Sequence, residues 1–158
     1  MTEAEQILAA AGRVLVVDYP SRTVPETLAR AGFEVVVRGG PGPTDYAAYE
    51  IEHGEVVVRR TGRPPDGADV VYAHRPLPEL AAIVETAQAL GAHAVWLQSG
   101  VNERGAKDEA GCWMSEEDAT AARAEVERAG LALVWDASIV EAARQVRRQP
   151  QAPPGVDR

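Results

Sequence analysis

Four short stretches carry side chains that could do chemistry: DYPSRT at 18–23, RGGPGP at 38–43, AHRP at 73–76 and LQSG at 97–100. In the first, Ser21, Arg22 and Thr23 stand where a helix-forming run begins. A phosphate there would meet free backbone N–H groups and the positive end of the helix, with Arg22 adding a charge-assisted bond. A structural reading competes, because Thr23 and Glu26 have the spacing of a capping box and Asp18 adds a negative charge. In the second stretch Arg38 supplies a cation, while Gly39 and Gly40 let the backbone approach a ligand; a plain flexible connection is the alternative. His74 and Arg75, followed by Pro76, could donate to a phosphate or ribose, or His74 could be a core histidine. Gln98, with Gly100 permitting a tight turn, could read the edge of a nucleobase.

Other candidates are thinner. Cys112 precedes the helix cap Ser115, but Glu116, Glu117 and Asp118 oppose the lowering of a thiol pKa at a helix start. His53, His74 and His93 come from different elements and lack metal-ligand spacing. No Walker loop, no Ser-His-Asp context and no defensible acid–base pair is present. The pattern is that of a binding crevice without an evident catalytic engine.

The elements that must position these residues alternate. Apolar runs at Arg13 to Val17, Phe33 to Val37, ADVVYAH, HAVWLQ and LALVWD read as buried strands. Between them lie helical patterns: Glu3 to Ala11, Thr23 to Ala31, PLPELAAIVETAQALG, Ser115 to Ala129 and SIVEAARQVRR. The last is capped by Asp136 or, in competition, Ser138. YEIEHGEVVVRR alternates about His53-Gly54 and predicts a small antiparallel hairpin. The order implies an α/β, Rossmann-like, mostly parallel sheet with helices on both faces and a hairpin insertion. Ligands of such sheets bind outside the carboxyl ends of the strands, where all four stretches lie.

The totals bound the rest. A chain of 158 residues fits one domain over 1–148, with a Pro-rich, disordered tail at 149–158. A net charge of -8 argues against nucleic acid and anionic membrane as partners. One cysteine suits a reducing cytosol, MTEAEQILAAAGR does not read as a signal peptide, and no run approaches the roughly 20 apolar residues of a membrane span. A cytoplasmic location follows as the expectation. Edge strands of the hairpin could pair between subunits, making a homodimer.

The order of motifs resembles a known family: small, stand-alone CoA-binding proteins, relatives of the CoA-binding Rossmann domain of succinyl-CoA synthetase. ADVVYAHRPLPELAAIVETAQALGAHAVWLQSGV is similar to the family's strand, Arg-Pro-Glu type turn, helix and Val-Trp-x-Gln-x-Gly. GLALVWD is similar to its final strand ending in Asp, and YEIEHGEVVV to its Gly-centred insertion. The likeness covers about residues 5 to 145. It implies coenzyme A or acyl-CoA across the strand ends. Ser21, Arg22 and Thr23 would lie near the pyrophosphate; Arg38, Gly39 and Gly40 near the adenosine end. His74, Arg75 and Pro76 would follow the next strand, and Gln98 and Gly100 would close the crevice. The first loop departs from the pattern, since Asp18 and Tyr19 replace the family's glycine-bearing start. An Asp beside a pyrophosphate costs affinity unless Arg22 or Arg38 neutralises it. The expected function is therefore non-catalytic CoA binding. A protein-interaction module with a decayed site, and a CoA- or dinucleotide-dependent enzyme recruiting His74 or Cys112, are the alternatives.

Overall fold

The computed structural model describes residues 1–102 and 104–146. The expected tail at 149–158, and Arg147 and Arg148 of the expected last helix, lie outside them. In chain order the elements are α1 (Glu3–Ala9), β1 (Arg13–Val17), α2 (Thr23–Arg30), β2 (Glu34–Arg38), β3 (Tyr46–Glu52) and β4 (Glu55–Arg60). They continue with β5 (Val70–Ala73), a 3-10 turn (Leu77–Glu79), α3 (Leu80–Ala89), β6 (Ala94–Leu97), α4 (Glu116–Arg128), β7 (Ala132–Trp135) and α5 (Ile139–Val146). One seven-stranded sheet has the order β4-β3-β2-β1-β5-β6-β7. The five strands from β2 to β7 along that order run parallel, and the β3–β4 hairpin is antiparallel. The order of connection reverses at β1, which lies between β2 and β5.

Helices cover both faces, so the central strands are apolar throughout rather than alternating. In β1, Val14 and Val16 enter one core with α1, α2 and α5, whereas Leu15 enters the other with α3 and α4. Trp96 is fully buried and donates its indole N–H to the Ala137 carbonyl at 2.8 Å, a core role as its position in β6 suggests. His53 and Gly54 both have positive φ, 53° and 80°, the signature of a tight two-residue hairpin turn. At the amino ends of the strands, opposite the candidate loops, the Asp69 carboxylate accepts from the N–H groups of Gly12 and Arg13 at 2.8 and 2.9 Å. That clasp joins the starts of β5 and β1.

Three local expectations change. Thr23 and Glu26 form no capping box: α2 has Arg22 at its N-cap with no side-chain cap, and Thr23 already lies in the first turn. The capping box belongs instead to Thr2 and Glu5, ahead of α1, which ends at Ala9 rather than Ala11. Asp136 does not cap α5; Ser138 Oγ accepts from the Glu141 N–H at 3.1 Å, while the Asp136 carboxylate accepts from the buried Ser99 hydroxyl. Asp136 sits at φ 59°, which turns its side chain back toward the end of β6.

Candidate functional site

The carboxyl ends of β1, β2 and β5 meet around a cleft of about 300 Å³ at the point where strand order reverses. Val17 and Asp18 come from β1, Arg38 to Pro41 from β2 and its loop, and Arg75 and Glu79 from the turn after β5. Where strand order reverses, the loops after neighbouring strands diverge and open a crevice between them, which is why α/β folds place ligands there.

Arg75 organises one wall. It donates from Nε to both Glu79 oxygens at 3.1 Å, from Nη2 to Glu79 at 2.6 Å and from Nη1 to Asp18 at 3.1 Å. These bonds hold the Glu79 carboxyl below its ordinary pKa. The same guanidinium also pairs with Asp18, a task expected of Arg22 or Arg38, so two carboxylates share its one charge. Asp18 itself adopts φ 62° and accepts the Tyr19 N–H at 2.8 Å. Asp tolerates this left-handed conformation better than most residues because its short side chain bonds locally.

Arg38 forms the other wall and is far less engaged. Its Nη2 reaches the Pro41 carbonyl at 3.3 Å, and its buried Nε has no hydrogen-bond partner. Its neighbours Gly39 and Gly40 differ in what their missing side chains allow. A Cβ on Gly40 would lie 2.7 Å from the Asp45 carboxylate, which also accepts the Gly42 N–H at 2.8 Å. Gly40 is thus needed by the loop's own fold. A Cβ on Gly39 would meet nothing within 4 Å, so that glycine faces open space.

The other candidate residues sit elsewhere. Ser21, Arg22 and Thr23 do not line the cleft. Their end of α2 is mostly closed by its own atoms: Ser21 Oγ takes the Thr23 N–H, the Ser21 carbonyl the Val24 N–H and the Arg22 carbonyl the Glu26 N–H. Pro25 has no N–H to offer, and Arg22 lies 3.8 Å from Glu26. Pro76 begins the 3-10 turn that carries Glu79. His74 is fully buried, with Nδ1 3.1 Å from the Gln98 carbonyl and Nε2 2.8 Å from Asp108. The Gln98 side chain accepts the first N–H of α5, from Ile139, at 3.2 Å. Gly100 lies in the same region, where a Cβ would be 4.0 Å from both His74 and Pro20.

His74 explains the segment after β6. Asp108 is drawn onto it, and the Asp108 carboxyl is held below its usual range by the Ala110 N–H and then by His74. Gly111 packs so closely on the ring that a Cβ would stand 2.9 Å from His74 Cε1. Trp113 donates to the Asp108 carbonyl at 2.8 Å and lies under Lys107 Nζ, 4.5 Å from the ring centre. Cys112 is thereby buried, and desolvation pushes its thiol up to about 11. Glu79 and Asp108 were not among the sequence candidates. Glu79 had a signal, its i,i+4 spacing from Arg75. Asp108 had none, being 34 residues from its partner.

Among the described residues no cluster could hold a metal ion, and no helix is long and apolar enough to cross a membrane. A solved structure from Thermus thermophilus, "cell-free ID.343", is similar over 92% of this chain and 99% of that chain, with 23% identity and a TM-score of 0.54. At that identity the likeness concerns the fold. No curated protein matches the chain. The model of the CoA binding domain family matches residues 8–143, so the chain belongs to the CoA-binding domain family.

Proposed function

We propose that this is a non-catalytic, cytosolic protein that binds coenzyme A or an acyl-CoA at the cleft between β1, β2 and β5. The observation that carries the reading is Arg38, a cleft-wall guanidinium held, among the described residues, only by a 3.3 Å bond to the Pro41 carbonyl, in a member of the CoA-binding domain family. Arg38 would take a phosphate oxygen, with Gly39 leaving room for the ligand to approach. Asp18 and Glu79 share the single charge of Arg75, and with Arg38 the charged side chains of the cleft sum to zero, so Asp18 is a paired carboxylate rather than a bare charge facing the ligand. Near 300 Å³ the cleft is at the small end for ligand sites, which run from about 300 to 1,000 Å³, and suits one part of CoA with the remainder over the rim. Neither His74 nor Cys112 offers a reactive atom to the cleft, since both are fully buried; that supports binding without catalysis.

A charge-assisted hydrogen bond is worth about 1.5–3 kcal/mol. Isothermal titration with CoA should therefore show saturable binding that weakens roughly 10- to 100-fold in Arg38→Ala. Equal affinity in wild type and variant would remove Arg38 from the site, and no saturable binding by wild type would remove the function. The closed N-terminus of α2 favours a second reading, a protein-interaction module on the same fold. That reading expects no CoA binding from the wild-type chain.

A further inference from the structure

The two edges of the sheet are not equally protected. Edge β7 is only four residues long, and Arg123 Nη1 covers its Leu133 carbonyl at 3.2 Å. Edge β4 is six residues, EVVVRR, without a bulge or proline. Its hydrogen-bonding direction follows from the hairpin. Glu52 and Glu55 flank the two-residue turn and bond to each other, so Val57 and Arg59 also face β3. The Thr61 N–H, donating to the Tyr46 carbonyl at 2.9 Å, confirms that odd-numbered residues face inward. Val56 and Val58 consequently point their main-chain groups away from the sheet. Among the described residues no side chain covers them. Their side chains lie on the α2 face beside Ile51, and Val58 and Ile51 are 45% and 40% exposed.

We propose that β4 pairs with β4 of a second copy, antiparallel, about a two-fold axis through Val57. This register alone makes the segment 55–59 self-complementary. Val56 stands opposite Val58 of the second copy as a hydrogen-bonded pair, and each exchanges both main-chain bonds. Glu55 stands opposite Arg59 of the second copy in the closer, non-bonded pair, where Arg59, already bound to Glu50 and Glu52 of its own hairpin at 3.0 and 2.8 Å, sets opposite charges at both ends. An axis at Val58 would set valines against Arg59 and Arg60, and an axis at Val56 would set Glu55 against Val57. Pairing covers the exposed edge and the Val58 side chain together, and joins the two sheets into one. Gly54, whose carbonyl already accepts Arg30 Nη1 at 2.9 Å, ends the ladder. The proposal uses no residue of the cleft and stands independently of the ligand.

The test is the mass of the full chain in solution, by light scattering over a concentration series. Wild type is expected at twice the chain mass; a single-chain mass at the highest concentration would overturn the proposal. Val58→Pro removes an outward N–H that β3 does not use, so it should melt as a folded protein yet be monomeric. Glu55→Arg and Arg59→Glu should each weaken self-association by roughly tenfold or more, since each places like charges opposite twice. Mixed together, these two variants restore matched charges and should recover the dimer. A mixture no more associated than its components would reject this register, whether or not Val58→Pro folds.

Discussion

The arginines of the cleft show how little a residue's type says about its availability. Arg75 is occupied by Glu79 and Asp18, whereas Arg38 retains an unbonded Nε. Arg75 and Asp18 are both partly exposed, so their pair contributes no more than about 1 kcal/mol. The backbone of Asp18 matters as much. At φ 62° it occupies a conformation that glycine reaches without a Cβ penalty. Asp18→Gly should melt within about 1 kcal/mol of wild type, with lost bonds offset by relieved backbone. Asp18→Ala loses the same bonds and keeps the Cβ, so it should be less stable than Asp18→Gly by about 1 kcal/mol. Parallel urea titrations of the two variants test this order; equal midpoints would refute it. This is also the meaning of the missing glycine in the first loop: the left-handed conformation is present, supplied by an Asp that pairs with Arg75.

At the scale of elements, the segment from Ser99 to Met114 has no helix among its described residues and is held by a few contacts onto the ends of β5 and β6. Its centre is the buried His74–Asp108 pair. Removing Asp108 leaves a fully buried imidazole nitrogen without its partner, at a cost of about 1–3 kcal/mol. Asp108→Ala should therefore release the segment locally before the domain unfolds. Trypsin cutting at Lys107 should become faster while the far-ultraviolet circular dichroism stays that of wild type. Unchanged cutting would mean that Trp113 and Gly111 hold the segment without the His74–Asp108 hydrogen bond.

For the whole molecule, the groups whose pKa values folding displaces shape the pH range of stability. Asp69 is held below its usual 3.8, chiefly by the Arg13 N–H, and Asp108 likewise by the Ala110 N–H. A depressed carboxyl pKa contributes stability above the unfolded value that is lost as pH falls through the folded one. Glu79, held below 4.5 by Arg75, adds to this, so the acid limb should begin below about 4.5 and steepen below 3.8, where Asp69→Asn should flatten it. Burial acts in the other direction on Cys112, raised from 9.0 to about 11, and on Tyr19, raised from 10.0 to about 12 with Tyr49 beside it. Their protonated forms favour the fold, fully so below the unfolded values, and that contribution is lost as pH rises through the folded ones. Urea midpoints should hold level between these limbs and fall above about 9, with Cys112→Ala removing the first part of the alkaline loss. A midpoint that rises above pH 9 would contradict this assignment.

Much of the fold was legible because it depends on local periodicity. Apolar runs such as Arg13 to Val17, bounded by Gly12 and Asp18, can only be strands buried on both faces when helices lie between them. The His53-Gly54 turn and the Ser115 cap are likewise written in adjacent residues. The cleft was legible only in part. Arg38, Gly39, Gly40 and Arg75 were found because strand ends converge in any such sheet. The same reasoning could not see that His74 turns inward to Asp108, that Asp136 serves Ser99 rather than α5, or that Ser21 closes its own helix end. Those outcomes depend on which hydrogen-bonding groups the tertiary structure brings within about 3 Å of one another. The sequence by itself determined the elements and the end of the sheet at which the candidate cleft opens. Tertiary structure decided which polar side chains there are already satisfied and which remain free, because burial makes every unpaired group costly and so directs each to whatever partner packing supplies.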